Sequence, residues 1–167
     1  HSTALHAVRR ATGKPYFLGP LARVNLNYDR LCPLARQTAE ELGLSWPLLN
    51  PFQSIVARGL ELIHVYDEAL SVLRAYTREG PARVSYEPRA GAGAAATEAP
   101  RGLLYHRYEL AEDGRVTLAR IVPPTSQNQA QIESDLRAFV PSVLDANETL
   151  ATRSCENLVR SYDPCIS

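Results

Sequence analysis

From Phe52 to Arg78, apolar residues recur at alternating steps of four and three: Ile55, Gly59, Leu62, Tyr66, Ala69, Leu73, Tyr76. That spacing marks one continuous helical stripe, the longest regular pattern in the chain. Val56, Leu60, Ile63 and Leu70 widen it, which predicts a helix buried on more than one side. At 1.5 Å per residue the helix would be about 40 Å long. It is the expected spine of an α-helical bundle. His64 falls among the apolar positions and reads as a buried histidine hydrogen-bonded to a neighbour.

Breakers divide the rest. Leu5 and Val8 give residues 1–10 a weakly helical pattern, ended by the turn signal Thr12-Gly13-Lys14-Pro15. Tyr16-Phe17-Leu18 reads as a short strand stopped by Gly19-Pro20. Leu21 to Asn27 is mixed, and its one charge, Arg23, reads as a surface cation. Asp29 is the expected N-cap of a helix with Pro33 in its first turn, running to Leu42 and ended by Gly43. Cys32 reads as a small core residue. Trp46-Pro47 to Asn50-Pro51 is an irregular link, and Gly80-Pro81 stops the long helix.

Pro88 to Ala96 is rich in Gly and Ala and reads as a linker, or as a close-packed loop bare of obstructing side chains. Leu104 to Leu110 and Val116 to Val122 form an antiparallel hairpin about Glu112-Asp113-Gly114. Thr125 or Ser126 is the expected cap of a helix carrying Ile132, Leu136 and Phe139 or Val140, broken at Pro141. A last helix starts near Asn147 and carries Leu150, Leu158 and Val159 into Asp163-Pro164-Cys165. The expected fold is mainly α (α+β), a single domain over residues 1–167 with long buried helices and one small antiparallel β-hairpin.

Several classes are excluded. The formal net charge is +0, so nothing draws the chain broadly to nucleic acid or anionic membrane. No apolar run approaches the roughly 20 residues that span a bilayer. The three cysteines are too scattered for a disulfide framework, and no signal-peptide pattern is present, so a cytoplasmic setting is expected. The chain has no Met and begins at His1, so it is expected to be a portion of something longer.

Three polar segments stand out at the ends of regular elements, where sites form. They are Glu98-Ala99-Pro100-Arg101-Gly102 with His106, Pro124-Thr125-Ser126-Gln127-Asn128, and Asp163-Pro164-Cys165. Pro164 fixes its own φ and biases Asp163 away from helix, which leaves Cys165 on a rigid turn with a carboxylate two residues before it. A thiolate is a soft ligand for nickel, iron, copper or zinc. No nucleophile elbow, phosphate loop or His-x-x-x-His pair occurs. Taken one at a time, Arg101 reads as a surface charge, Asp163-Pro164 as a plain turn and Cys165 as a spare thiol.

In this order, and with Gly19-Pro20-Leu21-Ala22-Arg23-Val24-Asn25 upstream, these segments resemble the C-terminal half of the large, catalytic subunit of nickel–iron hydrogenases. The likeness is nearest to the soluble cytoplasmic branch that exchanges electrons with pyridine nucleotide or deazaflavin. It covers essentially all 167 residues. The resemblance implies that Cys165 is a terminal nickel ligand and that Arg101 hangs over the open face of the bimetallic centre. It implies that Arg101 and Thr125 hold the cyanide and carbonyl ligands of iron, in a cavity shaped by Pro100 and Pro124. Asp163 would orient Arg101, and His106 would hydrogen-bond a cysteine sulfur. It further implies H2 as substrate, an iron–sulfur small subunit and an acceptor module of the NAD(P) or deazaflavin type. The family's other cysteine ligands are absent: the N-terminal Cys-x-x-Cys pair is not here, and the second C-terminal cysteine falls one position past Ser167. This chain by itself is therefore expected to hold no nickel–iron centre and cleave no hydrogen. The rival readings are a non-catalytic relative, such as the quinone-site subunit of a respiratory complex, and a piece with only a packing role.

Overall fold

The computed structural model describes residues 6–78 and 80–165. Its helices are α1 (Pro20–Asn27), α2 (Pro33–Glu41), α3 (Ser54–Ala75), α4 (Pro124–Phe139) and α5 (Glu148–Ser161), and its strands are β1 (Gly91–Ala99), β2 (Gly102–Leu110) and β3 (Val116–Val122). Leu5, part of the weak N-terminal pattern, lies outside the described residues.

The core sits where α1 and α2 cross the first half of α3. Leu21, Val24, Ala35, Ala39, Ala57 and Leu60 are buried there, with Leu31, Cys32 and Leu48. The alanines let the helix backbones approach closely, while Val24 and Leu60 fill the space between. Cys32 is a core residue, as its sequence context suggests. The Cys32 N–H donates to Nδ1 of His64 at 3.2 Å, which gives that histidine its neighbour. Leu44 N–H reaches the Ala39 carbonyl and Gly43 N–H the Glu40 carbonyl, with Gly43 at φ +63. This is the paired C-terminal closure that a left-handed glycine allows.

Several local expectations are corrected. Tyr16–Leu18 is not a strand, because the Asn128 side chain takes both Leu18 backbone groups, N–H at 2.8 Å and C=O at 3.3 Å. Leu21–Asn27 is helix, opened by Pro20 at its first turn. Asp29 caps nothing: it lies in a 3₁₀ turn, Tyr28–Arg30, and Cys32 is the N-cap of α2. Neither Thr125 nor Ser126 caps α4, which starts earlier, at Pro124. In both helices a proline stands at the first position, where an N–H would need no intrahelical partner.

The Gly/Ala-rich stretch is no linker. It is β1, paired antiparallel with β2 from Gly91–Leu110 to Ala99–Gly102, so the expected hairpin becomes a three-stranded sheet in the order β1-β2-β3. Glu112-Asp113-Gly114 does turn the second hairpin, with Ala111 N–H on the Arg115 carbonyl at 2.9 Å. The last helix does start near Asn147, which caps it with a side chain that accepts from Leu150 N–H at 2.9 Å.

The long helix spans 22 residues, or about 33 Å, and differs from expectation in its burial. Only Ser54, Ala57 and Leu60 are buried. Beyond His64 nothing covers it among the described residues: Tyr66 is 70% exposed and Leu73 70%. The stripe is helical as read, but the described residues supply cover for only its first half.

Leu60→Ala is therefore expected to destabilise the chain by about 3 kcal/mol, as buried leucine truncations do. Leu70→Ala, on the same helix but exposed, is expected to shift stability by less than about 0.5 kcal/mol. Equilibrium denaturation of the two variants separates them.

Candidate functional site

Arg101 stands at the tip of the β1–β2 hairpin. Ala99 faces Gly102 in the register, so Pro100 and Arg101 are the two residues of a tight turn. Gly102 adopts φ +130, which side-chain-bearing residues avoid. A Cβ there would lie 2.8 Å from Leu18 Cβ, 3.0 Å from Gly19 N and 3.2 Å from Pro124 Cβ. A Cβ on Gly19, at φ +109, would lie 2.9 Å from the Arg101 carbonyl oxygen. The hairpin tip, the entry to α1 and the start of α4 thus meet at a point that two glycines leave open.

From α1, Arg23 reaches the same tip. Its Nε and Nη2 bond the two carboxylate oxygens of Glu61 at 2.6 and 2.8 Å. Nη1 donates to the Glu98 carboxylate at 2.9 Å and the Ala99 carbonyl at 3.0 Å, and Nη2 also to the Pro100 carbonyl at 2.7 Å. A guanidinium has five N–H groups, and here each has an acceptor. Burial acts to lower the Arg23 pKa. The hydrogen bond and charge of Glu61, then those of Glu98, outweigh it and hold the pKa above its ordinary value. Arg23 is thus not the surface cation its sequence suggests, because only 23% of its side chain is exposed.

The third segment arrives at the end of α5. Asp163, at φ +49, turns the chain out of the helix. Its Oδ2 accepts from Arg101 Nε at 2.8 Å and from Arg58 Nη1 at 2.9 Å. The preceding Tyr162 is buried. Its ring meets Phe17 edge-on at 5.0 Å, and its hydroxyl donates to Asp135. Burial, then the Asp135 carboxylate, pushes its pKa well above the ordinary tyrosine value, so the phenol remains a donor. Two residues past Asp163, the exposed Cys165 gives its backbone N–H to Thr125 Oγ1 at 2.8 Å. Gln127 and Asn128, both buried, tie α4 to the rest. Gln127 donates to the Leu103 carbonyl at 2.7 Å and accepts from the Tyr16 hydroxyl at 3.1 Å.

Arg23, Arg58, Glu61, Arg101 and Asp163 line a cleft of about 730 Å³, beside Leu62 and Val65. The structure joins Arg101 with Asp163, and Thr125 with Cys165, and sets Pro124 against the hairpin tip. His106 is engaged elsewhere: its Nδ1 meets the Tyr108 hydroxyl at 2.8 Å on the same strand. Sequence reasoning missed Arg58 and Glu61 as site residues, gave Glu98 no role beyond its segment and misread Arg23. One signal was present: Arg58 and Glu61 are the only charges between Phe52 and His64, and both interrupt an apolar stretch.

Cys165 offers one exposed thiol, while Cys32 is buried in the core and Cys155 lies on α5. Among the described residues no three His, Cys, Asp or Glu side chains gather as a metal-holding group. These residues do not make a metal site by themselves.

No protein-family model matches the chain. It is 32% identical over 169 residues to the sulfhydrogenase 1 alpha subunit of Pyrococcus furiosus, matching 100% of this chain and 39% of that protein. It is 27% identical over 169 residues to the beta subunit of the NAD-reducing hydrogenase of Cupriavidus necator, over 90% of this chain and 33% of that one. An NAD+-reducing NiFe-hydrogenase, solved in its H2-reduced state, superimposes with a TM-score of 0.69 at 27% identity, over 93% of this chain and 36% of that chain. The Ni-Fe-Se hydrogenase of D. vulgaris Hildenborough shares the fold, with a TM-score of 0.62 at 19% identity over 92% of this chain and 35% of that one. Sequence and fold together make the chain a relative of the nickel–iron hydrogenase large subunit. It spans about two fifths or less of the length of the relatives it matches.

Gly102→Ala is expected to cost at least about 2 kcal/mol, from a positive φ and a Cβ pressed on backbone. Gly93→Ala, with nothing within 4 Å of its Cβ, is expected to change stability by less than about 0.5 kcal/mol. Chemical denaturation of each variant checks the pair.

Proposed function

We propose that this chain is the C-terminal portion of a hydrogenase catalytic subunit and forms one wall of its nickel–iron centre. The observation that carries this reading is the meeting of Arg101 with Asp163, 62 residues further along, on the turn that presents Cys165. Cys165 is then one thiolate ligand, and the other ligands come from residues outside this chain. When bound, the metals supply Lewis acidity, which H2 cleavage needs beside a base and away from water.

The remaining roles belong to this chain's own groups. Asp163 accepts from Arg101 Nε, which leaves the Nη groups of this cleft-lining arginine outside that bond. Thr125 accepts from the Cys165 N–H and keeps its own hydroxyl proton to donate. Arg101 and Thr125 would offer N–H and O–H to the cyanide and carbonyl ligands of iron, between Pro100 and Pro124, which carry no N–H of their own. His106, its Nδ1 occupied by Tyr108, would meet a cysteine sulfur through Nε2. An iron–sulfur small subunit and an NAD(P)- or deazaflavin-type acceptor complete the assembly, in the cytoplasm. The non-catalytic alternative is not favoured, since the relatives it matches are hydrogenase subunits.

In the enzyme assembled from the full-length subunit, Cys165→Ser is expected to lower nickel content more than tenfold by elemental analysis. Arg101→Lys keeps the charge but loses the planar fork. It is expected to keep nickel and lose roughly a hundredfold in H2 uptake, the scale of one removed transition-state donor. Wild-type nickel in the first variant, or wild-type turnover in the second, overturns the reading.

A further inference from the structure

The ion pair between Arg101 and Asp163 does not explain why Arg101 stands where it does. Its members are 44% and 30% exposed, and exposed ion pairs hold a side chain only weakly. Arg58 also competes for the same Asp163 oxygen. The backbone of the hairpin tip needs a stronger anchor, and β1 cannot supply one through packing, because its residues before Ala99 are exposed.

We propose that Arg23, locked by Glu61, is the positioning residue for Arg101: it holds the two carbonyls that precede Arg101 and so sets where the Arg101 guanidinium stands over the cleft. This rests on the reading that Arg101 acts in the site. Arg23 bonds Ala99 and Pro100 oxygens and the Glu98 carboxylate with three of its N–H groups, and Glu61 takes the other two. Its base is rigid. Leu21 and Val24 on α1 are in the core, and Asn25 bonds both backbone groups of Leu48, at 2.8 and 2.7 Å. Glu61 follows buried Leu60 on α3. One helical turn before Arg23, Gly19 meets the Arg101 carbonyl. A single face of α1 therefore touches the hairpin tip through a missing side chain and a full guanidinium. Lysine cannot substitute, because three donors on one nitrogen cannot span two carbonyls and two carboxylates. Reactive groups must be held to within about 0.5 Å of their working geometry, and this clamp is the device for it.

The test uses the enzyme assembled from the full-length subunit, with Arg23→Lys and the milder Glu61→Gln. Amide hydrogen exchange of the peptide containing residues 98–102 is read beside the kcat and KM for H2 uptake and the nickel content. Arg23→Lys is expected to speed exchange of this peptide at least tenfold and to lower kcat at least tenfold, with KM and nickel unchanged. Glu61→Gln is expected to give an intermediate effect on both, and it carries the test if Arg23→Lys fails to assemble. Unchanged exchange in an assembled variant overturns the clamp. Faster exchange with wild-type kcat overturns the positioning role. Arg101→Lys serves as reference: if it turns over normally, the functional reading falls and takes the catalytic part of this proposal with it. If it is defective while Arg23→Lys is normal, only the clamp fails.

Discussion

One guanidinium joins the helical core to the sheet. Arg23 leaves α1, pairs with α3 through Glu61 and spends its remaining donors on the end of β1. The sheet has little else to hold it. Its outer strands are exposed along almost their whole length, so among the described residues they bury little apolar surface. Its strands cohere through backbone hydrogen bonds, and it is attached to the helices by polar bonds near one end. At that end Arg23 grips the tip from α1, and Gln127 holds the Leu103 carbonyl from α4. This arrangement suits buried or half-buried groups whose every donor is used, because a polar group left unpaired there would cost more than the bond returns.

The same economy runs through the second polar segment. Asn128 occupies both backbone groups of Leu18 much as a neighbouring strand would. At Leu18 a side chain therefore stands where a strand partner would be. Ser126, Gln127 and Asn128 are buried polar residues at the start of α4, where helix N–H groups lack intrahelical acceptors. Proline at the first helical position removes one such donor. That frees Thr125 to serve the Cys165 turn instead of its own helix.

The elements whose signal lies in side-chain periodicity or in a breaker were legible: α3, the β2–β3 hairpin, and α5 with its start near Asn147. The strand β1 was not, because a run of glycine and alanine has no alternation to read and owes its conformation to the partner strand. The position of α1 was likewise hidden, since Pro20 and Gly19 read as a stop when they are a start. For the site, the residue types on the Asp163 turn and at Arg101 were visible, but the link between them is a tertiary fact. Arg23 looked bland for the same reason. A lone arginine in a mixed segment is ordinary until its acceptors appear from positions 38 to 77 residues away.

The exposed half of α3 and the open cleft are two views of one surface. The helix loses its cover after His64, about one turn past Glu61, the residue that anchors Arg23. Leu62 and Val65 line the cleft beside Arg58 and Arg101. Both are more than half exposed, at 53% and 54%. A body that packs on this stripe to bury its apolar side chains must therefore also roof the cleft. Roofing would lower the local dielectric and strengthen every charge interaction there, including the pairing of Arg101 and Arg58 with Asp163. Apolar burial and site electrostatics are coupled through one helix, because Arg58 and Glu61 stand one turn before Leu62 and Val65, which need covering.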